Sequence, residues 1–444
     1  PPDKDGSIPV GYLWARTIPC QNPSCGAEIP LIKQYWLAKK PKQKVALFPY
    51  NDHGHVKFKI VGDGYEKMPD GFDPEQGTVS RAVVNCPCCG STVDAKTTRR
   101  LFLEGKSGER ITAVVIYQPR IPGKKFRIAT EHDTEVVRQA TSHLKKKIPE
   151  IQEYLGMDPV PNEPTPDGKG RGAERAFTIR NYGMNTWGDL FNHRQKLALI
   201  IFSDSIRKAK QKMVEENYDE HYAVAIESYL ALPIDMMAAF WNKLARWENT
   251  ATIIKHAFGR QTLSMLWDYV EANPFSGSTA SWESGFEYYS SVIEHCSKVN
   301  LNSAKVSQSS ATSLPFPENY FEAVITDPPY YDNVPYSYLS DFFYVWLKRT
   351  IGDHYPDLFA TTLTPKKQEI VAYSNGPGGF EEGKRFFEDM LKKSFQEIHR
   401  VLKPNGIAII VYAHKSTEGW ETLINSLLDS GLVMTGAWPL NTEM

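Results

Sequence analysis

The sequence reads as an α/β protein in three stretches: a β unit with two cysteine knuckles over residues 1–130, a mainly helical region over 131–300, and a doubly wound α/β sheet over 301–444. Three observations predict this. Two cysteine pairs, each followed by glycine, punctuate short β-branched runs in the first stretch. Apolar residues recur at helical spacing through Leu190, Leu197, Ile200, Ile201 and Ile206 in the second. From residue 304 onward, strand-like and helix-like runs alternate, the pattern of strands laid parallel with helices between them.

The first stretch is organised by Cys20 and Cys25-Gly26, and by Cys86 and Cys89-Gly90. Two thiolates in one tight turn, with glycine after the second, suit a zinc knuckle, because backbone N–H groups can then approach sulfur. Four thiolates close a tetrahedral structural Zn2+ site with no open position for catalysis. Cys88 is a spare that could stand in for Cys86. The long separation of the knuckles implies an insertion, read as hairpins through residues 45–48 and 56–61 and a turn-rich segment over 62–77. His53 and His55 read as surface or core histidines. Residues 110–117 and 125–129 read as further strands.

In the second stretch a helix is expected over 131–148. Residues 159–172 are rich in proline and glycine and read as a loop or linker, either solvated or touching phosphate. Thr186 and Asp189 have capping-box spacing ahead of the next helix. A helix over 221–247 should be broken or kinked at Pro233. Residues 266–271 read as helical, as do 284–299.

The third stretch opens with a candidate strand over 304–308. A β-branched run over 321–326 then reads as a buried strand and stops at Asp327-Pro328-Pro329-Tyr330, since proline cannot continue a sheet ladder. That places Asp327 at the carboxyl edge of the sheet, where ligands bind in open α/β folds. A carboxylate and backbone carbonyls there can hold an amino group, and a tyrosine face can stack on a ring. Helices are expected over 336–350, 386–402 (ended by Lys403-Pro404-Asn405-Gly406) and 418–430, with strands over 407–412 and 432–438.

Net charge is −1, so no whole-molecule field attracts a polyanion. Lys124, Lys125, Lys145, Lys146, Lys147, Lys366 and Lys367 read first as solvated charges and second as phosphate contacts. No apolar run approaches the ~20 residues of a membrane span, and no secretory signal is evident, which points to a cytoplasmic protein without a membrane partner. Both ends of the chain read as cut.

Strand–Asp-Pro-Pro-Tyr–helix followed by helix–Leu402-Lys403-Pro404-Asn405-Gly406–strand resembles the second half of an S-adenosylmethionine-dependent amino-methyltransferase, with a Rossmann-like class I sheet that is here partial. More narrowly, the chain resembles adenine-specific DNA methylases that contain a zinc ribbon. The resemblance is carried by Leu13 to Thr17, Cys20 to Leu31, Leu190-Phe191 with Arg194-Gln195, Trp267-Asp268 to Phe275, and Trp438-Pro439 with Thr442-Glu443. Its most specific part is Thr326 to Asn333 and Leu339 to Lys348.

The resemblance implies DNA adenine N6-methylation, in restriction-modification or phage defence. Asp327 and the Pro328 carbonyl would hold the amine of a flipped adenine, with Pro329 fixing the turn and Tyr330 as stacking platform. Tyr331, Asp332, Asn333 and Tyr336 would touch base or strand. Asp327 would also border the cofactor, with Ser310 on its adenine side, where the family tends to carry an acid. Asn273-Pro274-Phe275 resembles the Pro-Phe-x-Gly cofactor loop, although the helical reading of 266–271 removes the strand that loop requires. The family's glycine-rich loop lies upstream of the zinc ribbon. An upstream segment, a separate polypeptide or another defence-system subunit would supply it, and weak cofactor binding by this chain alone is expected. The same tetrapeptide serves RNA guanine N2 methylation, and a non-catalytic DNA- or protein-binding subunit is the alternative of another class.

Overall fold

The computed structural model describes residues 2–119, 121–168, 176–299, 304–330, 334, 336–371, 379–414 and 416–439. The chain divides into two units. The first comprises Pro1–Asp167, Phe177–Val299 and Leu339–Thr364, the second Gly168–Ala176, Asn300–Tyr338 and Pro365–Met444.

Unit 1 contains, in chain order, β1 (Ile8–Pro19), β2 (Glu28–Leu31), β3 (Trp36–Lys40), β4 (Gln43–Asp52), β5 (His55–Gly62), β6 (Val79–Ser80), β7 (Val83–Asn85), β8 (Thr92–Val93), α1 (Ala95–Leu103), β9 (Gly108–Tyr117), β10 (Lys124–Ile128), α2 (Glu131–Leu155), α3 (His193–Glu215), α4 (Glu220–Phe240), β11 (Arg246–Glu248), β12 (Ile253–Lys255), β13 (Asp268–Ala272) and α5 (Trp282–Ser297). The main sheet is antiparallel in the order β10-β9-β1-β13, and β2 pairs with the far end of β1. β1 is long enough to take two neighbours along one edge: Gly11–Ala15 face β13, and Arg16–Pro19 face β2. The β3-β4-β5 meander shares an apolar core with this sheet, built from Val10, Leu37, Val45, Leu47, Val115 and Phe126.

β13 corrects the helical reading of residues 266–271. Tyr269, Val270, Glu271 and Ala272 are all buried, so the period-2 alternation that marks a half-exposed strand is missing. Burial of Glu271 is made possible by its partners. Its Oε2 accepts from Trp14 Nε1 at 2.6 Å, and Arg194 donates to both carboxylate oxygens at 2.8 Å. The Arg194 guanidinium also lies 4.1 Å from the centre of the Tyr12 ring.

The helices follow their capping signals. Thr130 and Asp133 form a capping box at α2, which runs past Pro149 to Gly156 and is therefore longer than expected. Thr186 and Asp189 cap only a short 3-10 turn, and α3 is capped by Asn192, whose side chain and that of Gln195 bond each other's backbone N–H at 2.9 Å. Pro233 lies inside α4, which continues through it. Among the described residues, α4 alone is long and apolar enough to cross a membrane. It packs against α3 and α5 and carries buried Glu227, 2.7 Å from His354 Nε2. Residues 159–166 of the expected linker are packed: Gly188 N donates to Pro161 O, Trp187 N to Glu163 O, and buried Arg349 pairs with Glu163 at 2.9 Å. The later part, 169–175, lies outside the described residues.

Unit 2 contains β14 (Phe321–Thr326), α7 (Gly379–Val401), β15 (Leu402–Ile410) and α8 (Thr417–Leu428), while α6 (Tyr336–Ile351) begins in unit 2 and continues into unit 1. β14 and β15 pair in parallel, with Val324 opposite Ala408 and Thr326 opposite Ile410. The expected strands at 304–308 and 432–438 are absent, so among the described residues this region has one parallel strand pair and the expected doubly wound Rossmann-like sheet is not formed. One face packs on Phe387, Leu391 and Phe395 of α7 and Leu423 of α8. The other is open, with Ile325 72 %, Ile407 63 % and Ile409 48 % exposed, which corrects the reading of residues 321–326 as fully buried.

Glu271→Gln should leave Arg194 buried and unpaired and should lower unfolding free energy by about 3–5 kcal/mol in urea titrations. The double change Glu271→Leu with Arg194→Met should recover most of that loss. A single variant as stable as the parent would show that the pair does not hold β13 in place.

Candidate metal centre and candidate active edge

The two knuckles meet at one end of unit 1. Cys20 follows β1, and Cys25 closes a turn in which Cys25 N and Gly26 N both donate to Asn22 O. Cys86 follows β7, and Gly90 N donates to Cys86 O. Gly26 and Gly90 have φ of +58° and +74°, a region that glycine enters without steric cost. Asn22 Nδ2 donates to Ser91 Oγ at 3.3 Å and ties one knuckle to the other. Beneath them lie Ile18, Ile29, Leu31, Val84, Val93 and Phe102.

All four sulfurs lie within 4.8 Å of one another. Cys20 Sγ is 3.7 Å from Cys89 Sγ, and Cys25 Sγ is 3.8 Å from Cys86 Sγ. Zn–S bonds of about 2.3 Å at a tetrahedral angle put sulfurs about 3.8 Å apart, and a disulfide needs about 2.05 Å. The cluster therefore fits a metal such as zinc. Cys86 fills the position, and Cys88 turns away, 3.8 Å from Gly54 O. His53 is almost fully exposed in a hairpin turn and stays outside the cluster. Burial pushes the Cys20 thiol up to about 12, while the Ser91 hydroxyl beside Cys89 brings that thiol down to about 6.

In unit 2, Asp327 follows β14 directly and is exposed, Pro328 is buried, and Pro329 and Tyr330 are half-buried. The ladder continues one step beyond the strands through Val411 N to Thr326 O at 2.9 Å, so the chain beyond β15 runs beside Asp327. Tyr412 thereby meets Tyr330 edge to face at 5.3 Å and packs against Trp420 at 5.4 Å and His414 at 6.3 Å. Tyr336 joins them: its phenol is raised by burial, lowered by the Tyr330 backbone N–H, and raised again by the Asp327 and Glu369 charges. Glu369 accepts from Ser337 N at 2.7 Å. Tyr412, Trp420 and Glu369 have no motif in the sequence; only the parallel pairing of β14 with β15 would have pointed to Tyr412.

Tyr331, Asp332 and Asn333 lie outside the described residues. Ser310 sits in an exposed turn, bonded to Thr312 Oγ1 at 2.8 Å, with no strand before it. Among the described residues no contact joins it to Asp327. Asn273, Pro274 and Phe275 belong to unit 1, and the helical reading of the residues before them is corrected. β13 precedes them and α5 follows, the strand–loop–helix order that the sequence reading found missing. Asn273 Nδ2 donates to Pro9 O at 2.7 Å. The three residues rim an apolar cavity of about 670 Å3 that also touches Phe202, Trp241 and Trp282. Comparison with family models, curated proteins and solved structures finds no match to this chain.

Cys86→Ser should lose the metal, about one zinc per chain in the parent, read by a colorimetric chelator after denaturation. Because Cys20 and Cys25 must give up protons to bind it, metal affinity should fall as pH falls, and proton release on loading should be measurable. Full metal content in Cys86→Ser would mean that another ligand set holds it.

Proposed function

We propose that this chain carries the target-amine half of an S-adenosylmethionine-dependent DNA adenine N6-methyltransferase. The observation that carries the reading is Asp327-Pro328-Pro329-Tyr330 placed directly after β14, at the carboxyl edge of a parallel strand pair. An exocyclic amine is a poor nucleophile because its lone pair is delocalised into the ring. Asp327 accepts one N–H and the Pro328 carbonyl the other, which favours a pyramidal nitrogen with its lone pair free. Tyr330, braced by Tyr412, stacks on the flipped base. The catalytic gain comes from positioning and from placed acceptors.

The proposal concerns the acceptor side. The described residues do not assemble a pocket for S-adenosylmethionine beside Asp327, and no donor step is assigned to them. The open face of β14 and β15 supports a second component of the proposal, that another polypeptide segment covers this face. Parallel sheets are ordinarily covered on both faces, and Ile325, Ile407 and Ile409 have no cover. The four-cysteine cluster serves as a structural support for the unit that carries it.

In the complete assembly, Asp327→Ala should reduce methyl transfer to duplex DNA by at least about 100-fold with the fold intact. Tyr330→Phe should keep most activity, and Tyr330→Ala should raise KM more than it lowers kcat. Label appearing in RNA and not in DNA would move the substrate to an RNA base. Unchanged transfer in Asp327→Ala would leave the chain as a binding subunit.

A further inference from the structure

A second cavity of unit 1, about 400 Å3, lies at the start of α3 and is polar. Three cationic side chains from separate elements line it: Arg16 from β1, Lys196 from α3 and Lys243 from the segment after α4. Arg16 is 5 % exposed and fixed, with Nε donating to Leu266 O at 2.9 Å and Nη2 to the Lys243 carbonyl at 3.3 Å. The two carboxylates of the cavity are both engaged. Asp189 accepts from the backbone N–H of Asn185 and Thr186, and Glu109 lies 3.9 Å from Arg16 and accepts from the Tyr269 hydroxyl at 3.3 Å. Among the described residues neither the Lys196 nor the Lys243 ammonium makes a hydrogen bond or an ion pair within 4 Å, and Asp189 and Glu109 act on both at longer range.

Three cations face two carboxylates in this recess, which leaves one positive charge in excess, and an anion is the group that balances it. The same wall holds the first turn of α3, where Asn192 and His193 line the cavity. Helix-start N–H groups and the helix dipole favour negative charge there. His193 engages Thr141 through Nδ1 at 2.9 Å, and its ring is held down in pKa by burial and then by the Lys196 and Lys243 charges, which places both lysines within electrostatic reach of that turn. Burial likewise holds Lys243 down to about 8.

From this arrangement we infer that the cavity formed by Arg16, Lys196, Lys243 and the amino-terminal turn of α3 binds the terminal phosphate of a small ligand. Besides the one excess positive charge, two ammonium groups and the N–H groups of the turn offer several donors, which the three terminal oxygens of a phosphate can accept from more fully than the two of a carboxylate. A terminal phosphate can enter a recess of this kind. The phosphates of a duplex, each flanked by two sugars, cannot. The site is independent of the methyl-transfer reading, since all its residues belong to unit 1 and none to the Asp327 edge.

Calorimetry at constant ionic strength tests this with inorganic phosphate, ribose 5-phosphate, acetate and a blunt duplex lacking terminal phosphates. Phosphate and ribose 5-phosphate should bind saturably, the sugar phosphate more tightly because the cavity exceeds one phosphate in volume. Lys243→Met should weaken both at least tenfold and should fold well, because an apolar chain of similar length replaces a half-buried lysine. Lys243→Arg should restore part of the binding, and the exposed Lys146→Met should change nothing. No saturable phosphate binding by the parent, equal binding by Lys243→Met, or acetate or duplex binding as tight as phosphate would overturn the assignment.

Discussion

The Glu271 carboxylate is the constraint on which unit 1 depends. It is 3 % exposed and sits in a strand, where an unpaired charge would forbid burial. Trp14 reaches it from the neighbouring β1 and Arg194 from α3, so one carboxylate fixes a strand to its partner and to the helix layered on it. Tyr12, two residues before Trp14 and on the same face of β1, receives the back of the same guanidinium. The register Tyr12 opposite Glu271 and Trp14 opposite Tyr269 follows from these contacts. A slip of one residue would turn Glu271 to the other face of the sheet and strand all three partners.

That knot also explains why two cavities with opposite character flank α3. Arg194 and Gln195 face the apolar cavity bordered by Phe202 and Trp282, while Asn192, His193 and Lys196 face the polar one. In the apolar cavity the Arg194 charge is neutralised by Glu271. In the polar one Glu109 and Asp189 face three cations, and one positive charge is left in excess. The difference comes from where the acids lie and follows from strand register more than from composition.

The parts of the structure legible in the sequence are those whose causes are local. Cys20, Cys25, Cys86 and Cys89 could be chosen because each pair is closed by its own turn and its own positive-φ glycine, and the long insertion between the pairs does not alter either turn. Asp327 was legible because two prolines end β14 wherever the strand lies. β13 was not, since its buried glutamate depends on Trp14 and Arg194, 257 and 77 residues away. Tyr412 beside Tyr330 was hidden for the same reason, because only the register of β14 against β15 brings them together. The cation cavity draws on three elements and has no motif at all.

The strands expected at 304–308 and 432–438 fail for a physical reason that bears on the Asp327 edge. A strand forms when both its backbone and its apolar face find partners, and isolated two-stranded units are marginal in water. Val306 is 91 % and Val433 82 % exposed, so neither segment has a face to pack on, although each carries strand-like residues. β14 and β15 persist because α7 and α8 cover one side of them through Phe387, Phe395 and Leu423. Their other side repeats the problem of the missing strands at larger scale: three isoleucines stand where a helical layer would lie. A segment that covered Ile325, Ile407 and Ile409 would supply the missing layer and hold the strand whose end, Thr326, directly precedes the turn at Asp327.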